Sequence, residues 1–155
     1  MLDAHCHRIL ALLQTDSRRT IQEISERVGL SPTPCWRRIR EMESTGVIRG
    51  YAALLDRTQL GLAVCVLAHV QLARHEEAAV ERFEAAMVAR PEVTQIYSTT
   101  GEADYILKVV VADIQAYDAF LKLHLFRLPA VVHVRSSVVL RELKNETALP
   151  IAVPA

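Results

Sequence analysis

Two prolines separated by one residue, Pro32 and Pro34, place the strongest constraint on how the first third of this 155-residue chain can fold. Proline lacks a backbone N–H and breaks a helix interior, but the N–H groups of a helix's first turn are unpaired in any case. Both prolines are therefore accommodated if a helix begins at Pro32. Ser31 can cap that helix with its hydroxyl, and Gly29 suits the left-handed residue that ends a preceding helix. The pattern predicts a helix over residues 32–44 directly after a tight turn.

The predicted helix has an apolar side and a basic side. At roughly 100° per residue, the apolar side consists of Cys35, Ile39 and Met42. The opposite side consists of Thr33, Arg37 and Arg40. An arginine there can donate two hydrogen bonds to a guanine or bind a phosphate, which is typical of a helix that enters the major groove of DNA. The alternative is a solvated helix face on which Glu41 and Glu43 pair with the arginines.

Further residues around this helix complete the candidate DNA interface. The hydroxyls of Ser31 and Thr33 lie at the helix N-terminus, where free N–H groups also favour phosphate. Pro34 can contact a thymine methyl by shape, and Arg38, on the flank nearer the core, can take a phosphate. On the other flank, we expect Trp36 to cover the helical core; the alternative is an exposed contact. The candidate DNA-binding residues are Ser31, Thr33, Pro34, Arg37, Arg38, Arg40 and Arg49.

The residues on either side of this helix indicate a helix-turn-helix with a wing. An amphipathic first helix is predicted by the helical spacing of Cys6, Ile9, Leu10 and Leu13. A short second helix follows, with Thr20 and Glu23 at the two positions of a capping box. Together with the basic helix these elements make a helix-turn-helix. Residues 47–55 are predicted to form a small hairpin, a wing on which Arg49 would touch phosphate.

From residue 62 the hydrophobic period changes. Strands are predicted over residues 63–72, 93–100, 104–111 and 131–142. Helices are predicted over residues 75–89 and 114–128, the second of them capped by Asp113 and turning Ile114 and Tyr117 inward. The order β-α-β-β-α-β predicts a ferredoxin-like sandwich with both helices on one face of an antiparallel sheet. The predicted fold class is α+β, with a winged helix-turn-helix domain over residues 1–60 and a ferredoxin-like domain over residues 61–155.

The predicted sheet has apolar residues on both faces. Residues 64–67 and 109–111 are apolar at adjacent positions, whereas an antiparallel sheet with a solvated face alternates apolar and polar residues. We expect the face without helices to pack against a second copy of the chain, because exposed apolar patches promote aggregation. A two-fold dimer would also present two recognition helices to two half-sites of DNA. The alternative is an apolar face that stays exposed.

The turn between the second and third strands is the candidate effector site. The backbone N–H groups around Gly101 can bind a carboxylate, and Glu102 and Asp104 can pair with an ammonium group, so the turn suits an α-amino acid. Two serines of the last strand are expected to reach the same cleft. The alternative is an ordinary polar hairpin. The candidate ligand-binding residues are Thr99, Thr100, Gly101, Glu102, Asp104, Ser136 and Ser137.

Composition and motifs bound the remaining possibilities. The net charge is zero, which disfavours non-specific coating of nucleic acid. The sequence has no apolar run of about 18 residues and no signal-peptide pattern, so we expect a soluble, cytoplasmic protein without a membrane partner. No set of residues with catalytic spacing indicates an enzyme, and no cofactor or metal is predicted.

The competing hypothesis is a thiol-based or metal-responsive DNA-binding sensor. The three cysteines form no CxxC pair and are expected to be free thiols. His5, Cys6 and His7 resemble a metal-binding cluster, but their side chains diverge around a helix. Cys35 lies in the first turn of a helix, where a thiolate is stabilised, although its place on the apolar side favours the thiol.

Two sets of residues resemble the Lrp/AsnC (feast/famine) family of transcriptional regulators. The DNA-binding set comprises residues 30–35 with Arg37, Arg38, Glu43, Gly46, Ile48, Gly50 and Tyr51. The effector-domain set comprises residues 100–105, 128–129 and 136–140, and the whole resemblance spans residues 2–144. It implies dimers that assemble further, often into octamers, around which DNA can wrap. It also implies regulation by small molecules, commonly amino acids, bound between dimers.

Overall fold

The chain folds as two units in the computed structural model, which describes residues 2–73 and 77–152. The first unit contains the residues through Leu54 together with those from Lys144 onward, and the second contains Leu55–Leu143. Within the first unit, the Gln14 side-chain amide donates to the Leu149 carbonyl at 3.1 Å and accepts from the Leu149 N–H at 2.6 Å. The sequence assigned the C-terminal residues to the second domain, whereas the structure groups them with the first unit.

Capping determines where the helices of the first unit begin and end. These helices are α1 (Ala4–Thr15), α2 (Ile21–Val28) and α3 (Pro32–Ser44). The Asp3 carboxylate caps α1 by accepting from the Cys6 N–H at 2.8 Å. Thr20 and Glu23 form the predicted capping box of α2, with hydrogen bonds of 3.2 and 2.7 Å. Gly29 ends α2 with φ of +71°, a conformation that glycine adopts without a Cβ penalty.

Proline rather than a serine hydroxyl marks the start of α3. Ser31 has the extended backbone of an N-cap residue, but its hydroxyl makes no capping hydrogen bond, so this expectation was wrong. The apolar side of α3 is buried in a core whose buried members are Cys6, Ile9, Ile24, Val28, Cys35, Ile39 and Met42. Because this packing fixes the rotation of α3 about its own axis, the opposite side of the helix faces away from the core.

The hairpin predicted over residues 47–55 is not formed, and this described segment contains no strand. It is held to α3 instead. The Ile48 N–H donates to the Met42 carbonyl at 2.9 Å, and the Tyr51 hydroxyl donates to the Glu43 carboxylate at 3.1 Å. Ile48 also packs against the three-helix core. An isolated two-stranded hairpin is only marginally stable in water, which explains why contacts with α3 prevail.

The second unit has the predicted βαββαβ order. Its sheet consists of β1 (Val64–Leu72), β2 (Val93–Ser98), β3 (Tyr105–Val111) and β4 (Val131–Val138), with antiparallel pairing in the spatial order β2-β3-β1-β4. Its helices are α4 (Glu77–Val88) and α5 (Ile114–Phe120), and α5 continues as a π-helical turn over Leu121–Leu125. The predicted start of the first of these helices at residue 75 lies outside the described residues. No helix in the described part of the chain is long and apolar enough to cross a membrane.

The two helices cover one face of the sheet. Alternate residues of β1 and β3 pack with them in a core that includes Val66, Val70, Leu107, Val109, Phe83, Met87, Tyr117 and Phe120. Asp113 caps α5 as predicted by accepting from the Ala116 N–H at 2.7 Å. Ile114 was expected to point inward but is 48% exposed, because the first residue of α5 precedes the turns that pack on the sheet.

The opposite face of the sheet is also apolar at its centre. Cys65 and Val110 are paired in the β1–β3 register and are buried, yet neither belongs to the core beneath the helices. The last strand, β4, is shorter than the predicted strand over residues 131–142 and ends at Val138. Beyond it, the Glu142 carboxylate pairs with the Lys108 ammonium of β3 at 2.9 Å. The Val139 N–H also donates to the Cys65 carbonyl at 2.9 Å, so the segment after β4 stays in contact with the sheet.

Thr20→Ala is expected to lower the free energy of unfolding by about 1 kcal/mol, because it removes the hydroxyl of the α2 capping box. Ser31→Ala is the matched control: it also replaces an N-cap residue, but one whose hydroxyl makes no capping bond. Chemical denaturation of both variants at one protein concentration tests the difference. Equal losses would contradict the assignment of capping roles.

Candidate DNA-binding and effector-binding sites

The exposed side of α3 carries the central residues of the candidate DNA interface. Thr33 and Arg37 are exposed there, as is Ser31 just before the helix, while Pro34 is half-buried. Within the described residues, the Arg37 guanidinium makes no ion pair, so its donors are available to a ligand. Thr33, in the first turn, adds a hydroxyl beside backbone N–H groups that have no partner within the helix. This side of α3 can therefore bind phosphate and base edges together.

Arg40 is held in place by its neighbours on the same helix. Its Nη1 donates to the Glu43 carboxylate at 3.0 Å, and its guanidinium carbon lies 5.9 Å from the centre of the Trp36 ring. Glu43 also accepts the hydrogen bond from the Tyr51 hydroxyl. Burial and the nearby Glu43 carboxylate raise the pKa of Tyr51, so its phenol keeps the proton that it donates. The solvated pairing anticipated for Glu43 is thus present, and it orients Arg40.

Trp36 does not cover the helical core as expected. It is 52% exposed on the flank of α3 and is not among the residues packed against the three-helix core. The core beneath α3 is closed instead by Met42 and Ile39, which are almost fully buried, and by the half-buried Ile48. Trp36 is therefore available at the edge of the candidate interface, in agreement with the alternative of an exposed contact.

Arg38 is tied to the start of α1. Its Nη2 lies 2.9 Å from Oδ2 of Asp3, and its Nε is buried without a hydrogen-bond partner among the described residues. The hydrogen bond from the Cys6 N–H lowers the pKa of the Asp3 carboxyl, and the Arg38 charge lowers it further. Arg38 thus joins α3 to α1 on the core flank. Arg49 differs, because it is exposed and makes no ion pair within the described residues.

The loop between β2 and β3 is fixed to the end of β1 by backbone hydrogen bonds. The Thr99 N–H donates to the Asp104 carbonyl at 2.9 Å, and the Asp104 N–H donates to the Val70 carbonyl at 3.0 Å. The Asp104 carboxylate accepts from the Leu72 N–H at 2.8 Å, beside the irregularity in the β1–β4 register. Asp104 therefore has a structural role in addition to the charge that it brings to the loop.

Glu102 and Gly101 form the exposed part of this loop. The Glu102 carboxylate is 3.3 Å from Nη1 of Arg135, a residue of β4, and its carbonyl accepts from the Gln71 side-chain amide at 2.6 Å. Gly101 and Thr100 are exposed. The Thr99 hydroxyl donates to the Ala103 carbonyl at 2.5 Å and so stabilises the turn. The loop presents polar backbone and one carboxylate to solvent.

Ser136 and Ser137 do not meet at this loop. They pair with Ala68 and Leu67 of β1 and, as neighbours on a strand, point to opposite faces of the sheet. The Ser136 hydroxyl is within 2.6 Å of the Tyr117 hydroxyl on the helix-covered face. The side chains of Arg135 and Gln71, on β4 and β1, do reach the loop. The sequence offers no local signal for either, because both contacts depend on strand register.

The thiol and metal alternatives find little support in the geometry. His5 contacts the Val28 carbonyl at 3.1 Å and His7 contacts the Asp3 carbonyl at 2.9 Å, while Cys6 is buried between them. No group of three or more metal-binding side chains occurs within residues 2–73 and 77–152. Burial raises the pKa of the Cys35 thiol, which disfavours the reactive thiolate.

Comparison with known proteins identifies one domain in each part of the chain. The Lrp/AsnC ligand binding domain matches residues 65–149, and a winged helix-turn-helix DNA-binding domain matches residues 2–49. The chain is 36% identical over 151 residues to the DNA-binding transcriptional activator DecR of Escherichia coli K12, covering 97% of this chain and 99% of that protein. It is 40% identical over 150 residues to the leucine-responsive regulatory protein of Salmonella typhimurium, covering 97% and 92%.

A solved structure agrees with the fold over nearly the whole chain. A transcriptional regulator of Neisseria meningitidis, determined as a complex with L-Met, superposes with a TM-score of 0.91 at 39% identity and covers 97% of each chain. The helix-turn-helix and the four-stranded antiparallel sheet with its helices thus form a known combination. These relatives are transcriptional regulators rather than enzymes.

Asp104→Ala is expected to lower the free energy of unfolding by about 1–3 kcal/mol, because it leaves the partly buried Leu72 N–H without its acceptor. Glu102→Ala removes a neighbouring carboxylate that pairs with Arg135 but whose side chain is 81% exposed. This change should lower the free energy of unfolding by less than about 1 kcal/mol. Thermal and chemical denaturation of both variants test this contrast. A larger loss for Glu102→Ala would refute the structural role of Asp104.

Proposed function

This chain belongs to the Lrp/AsnC family of DNA-binding transcriptional regulators, and from that membership we propose that it reads a specific DNA sequence under the control of an amino acid. The observation that carries the proposal is the exposed side of α3. The Arg37 guanidinium, the Thr33 hydroxyl and the oriented Arg40 share that side, while the other side is buried. A helix built in this way offers base-reading donors to a major groove.

In the proposal, each residue around α3 has one kind of contact. Arg37 and Arg40 read base edges, since guanidinium groups match the acceptors of guanine. Ser31, Thr33 and Arg49 bind phosphates and set the register of the helix in the groove. Pro34 contacts a thymine methyl. Arg38 serves a phosphate only if it leaves Asp3, and its main contribution is the orientation of α3 against α1.

A dimer would present two copies of α3 to successive major grooves of a palindromic site. The sheet supports this proposal, because its face without helices carries the half-buried apolar residues Leu67 and Ile106 and the exposed Tyr97. Such residues on a sheet face favour association with a second copy. We propose the dimer as the DNA-binding species and further assembly of dimers, up to an octamer, as the step that an effector controls.

The proposed effector site is the loop over residues 99–104. Its exposed backbone at Thr100 and Gly101 can bind a carboxylate, and the carboxylates of Glu102 and Asp104 can face an ammonium group. Arg135 extends this set with a cation that already pairs with Glu102. The names of a leucine-responsive relative and of a regulator in complex with L-Met support an amino acid as the chemical class. Coupling between effector and DNA would be about 1–3 kcal/mol, typical of allosteric proteins.

Arg37→Ala is expected to weaken binding to a duplex selected from a random pool by the wild-type protein, by about 1–3 kcal/mol, and to relax sequence preference. Fluorescence anisotropy on the selected duplex and on a random duplex of equal length measures both effects. Arg127→Ala, which removes an exposed arginine from the second unit, is the charge-matched control. Equal losses on the two duplexes would make Arg37 a phosphate contact, and no loss on either would remove it from the interface.

Asp104→Asn is expected to abolish the response to amino acids while leaving DNA affinity unchanged in their absence. The amide keeps an oxygen acceptor for the Leu72 N–H but removes the charge that would face an ammonium group. Light scattering and DNA affinity, each with and without a panel of amino acids, give the response. Asp118→Asn, on the exposed side of α5, is the matched control. A full response from Asp104→Asn would move the effector site elsewhere.

A further inference from the structure

Trp36 stands out among the residues of α3, because a large apolar side chain is left 52% exposed on a helix that is otherwise polar on its outer side. Its helical position lies next to that of Arg40 and Thr33, on the flank between the exposed side and the buried side of the helix. The three-helix core does not use the indole ring. Tryptophan is enriched at interfaces, because its ring combines an apolar body with a polar N–H.

The Trp36 ring also restricts the Arg40 guanidinium. The guanidinium carbon lies 5.9 Å from the ring centre, within the range of a cation–π interaction, and Nη1 is held by Glu43 at 3.0 Å. Glu43 is in turn held by the Tyr51 hydroxyl. An arginine whose rotamer is already fixed loses less conformational entropy when it binds. Trp36 and Glu43 thus position Arg40 before any ligand arrives.

We propose that Trp36 is a specificity-determining residue, which orients Arg40 toward a base and places its own ring against the 5-methyl group of an adjacent thymine. This inference rests on the proposed DNA binding by α3. The thymine methyl is the apolar group that base edges present in the major groove, and it complements an exposed indole. The expected recognition element is therefore a guanine, read by Arg40, next to a thymine, read by Trp36.

Fluorescence tests the position of the ring directly, because Trp36 is the only tryptophan in the sequence. Titration with the selected duplex is expected to change the intensity and emission maximum of tryptophan fluorescence and to reduce quenching by acrylamide. Anisotropy of labelled duplex, followed in parallel, reports binding itself. Binding without any change in tryptophan emission or acrylamide quenching would overturn the inference.

Base and side-chain substitutions test the thymine contact. Each thymine of the selected duplex is replaced in turn by deoxyuridine, which lacks only the methyl group. At one position the replacement is expected to weaken duplex binding by the wild-type protein several-fold but to leave binding by Trp36→Ala unchanged. Trp36→Ala itself is expected to weaken binding to the unmodified duplex by about tenfold, the order of one base contact. Trp36→Phe, which keeps a ring, should recover part of the loss.

A double-mutant cycle tests the positioning of Arg40. If the ring orients the guanidinium, the losses of binding free energy in Trp36→Ala and Arg40→Ala are not additive. The double variant then loses less affinity than the product of the two single fold-losses predicts. Additive losses together with no uridine-sensitive position would overturn the inference. Light scattering of the variants provides a further check, because a change in oligomeric state would make Trp36 an assembly contact and would also overturn it.

The experiments separate this inference from the proposed function. If the wild-type protein enriches no duplex from the pool, the proposed DNA binding fails and the role of Trp36 fails with it. If the selected duplex binds and Arg37→Ala weakens it, but Trp36→Ala and Trp36→Phe bind as the wild type does, only the inference about Trp36 is wrong.

Discussion

Burial of Cys35, Ile39 and Met42 between α1 and α2 is the interaction on which the first unit depends. It contributes hydrophobic free energy, and it also fixes the rotation of α3 about its axis. A rotation of one residue, roughly 100°, would move Arg37 from solvent toward the core. The packing of the buried side therefore determines which side chains of α3 face away from the core.

Sequence periodicity predicted this arrangement well where the fold depends on local chemistry. The bounds of α3, the capping box of Thr20 and Glu23 and the cap at Asp113 follow from rules that involve neighbouring residues alone. The predictions were wrong where two sets of local contacts compete for the same residues. The predicted hairpin does not form, and Ile48 and Tyr51 make hydrogen bonds with α3 instead. Trp36 was expected to cover the core, with an exposed contact as the alternative, but Ile48 and the buried residues of α3 already fill that space.

The effector loop shows a different limit of sequence reasoning. The turn at Gly101 is a local feature and was predicted, whereas the contacts with Gln71, Leu72 and Arg135 depend on strand register. Ser136 and Ser137 were grouped because they are adjacent in sequence, but the pleat of a strand sends neighbours to opposite faces. Placing them correctly requires knowing which face of β4 packs on the helices, and hence the pairing with β1.

The three arginines of α3 illustrate how one helix assigns different roles to identical side chains. Arg38 lies on the core flank, where its own side chain is partly buried and its guanidinium is paired with Asp3. Arg40 is oriented by Trp36 and Glu43 but remains exposed, so it can bind without losing much freedom. Arg37 has neither constraint. In the proposed DNA complex both Arg37 and Arg40 read base edges, and Arg40 adds the stricter discrimination between sequences, because a donor held in one orientation tolerates fewer acceptor positions.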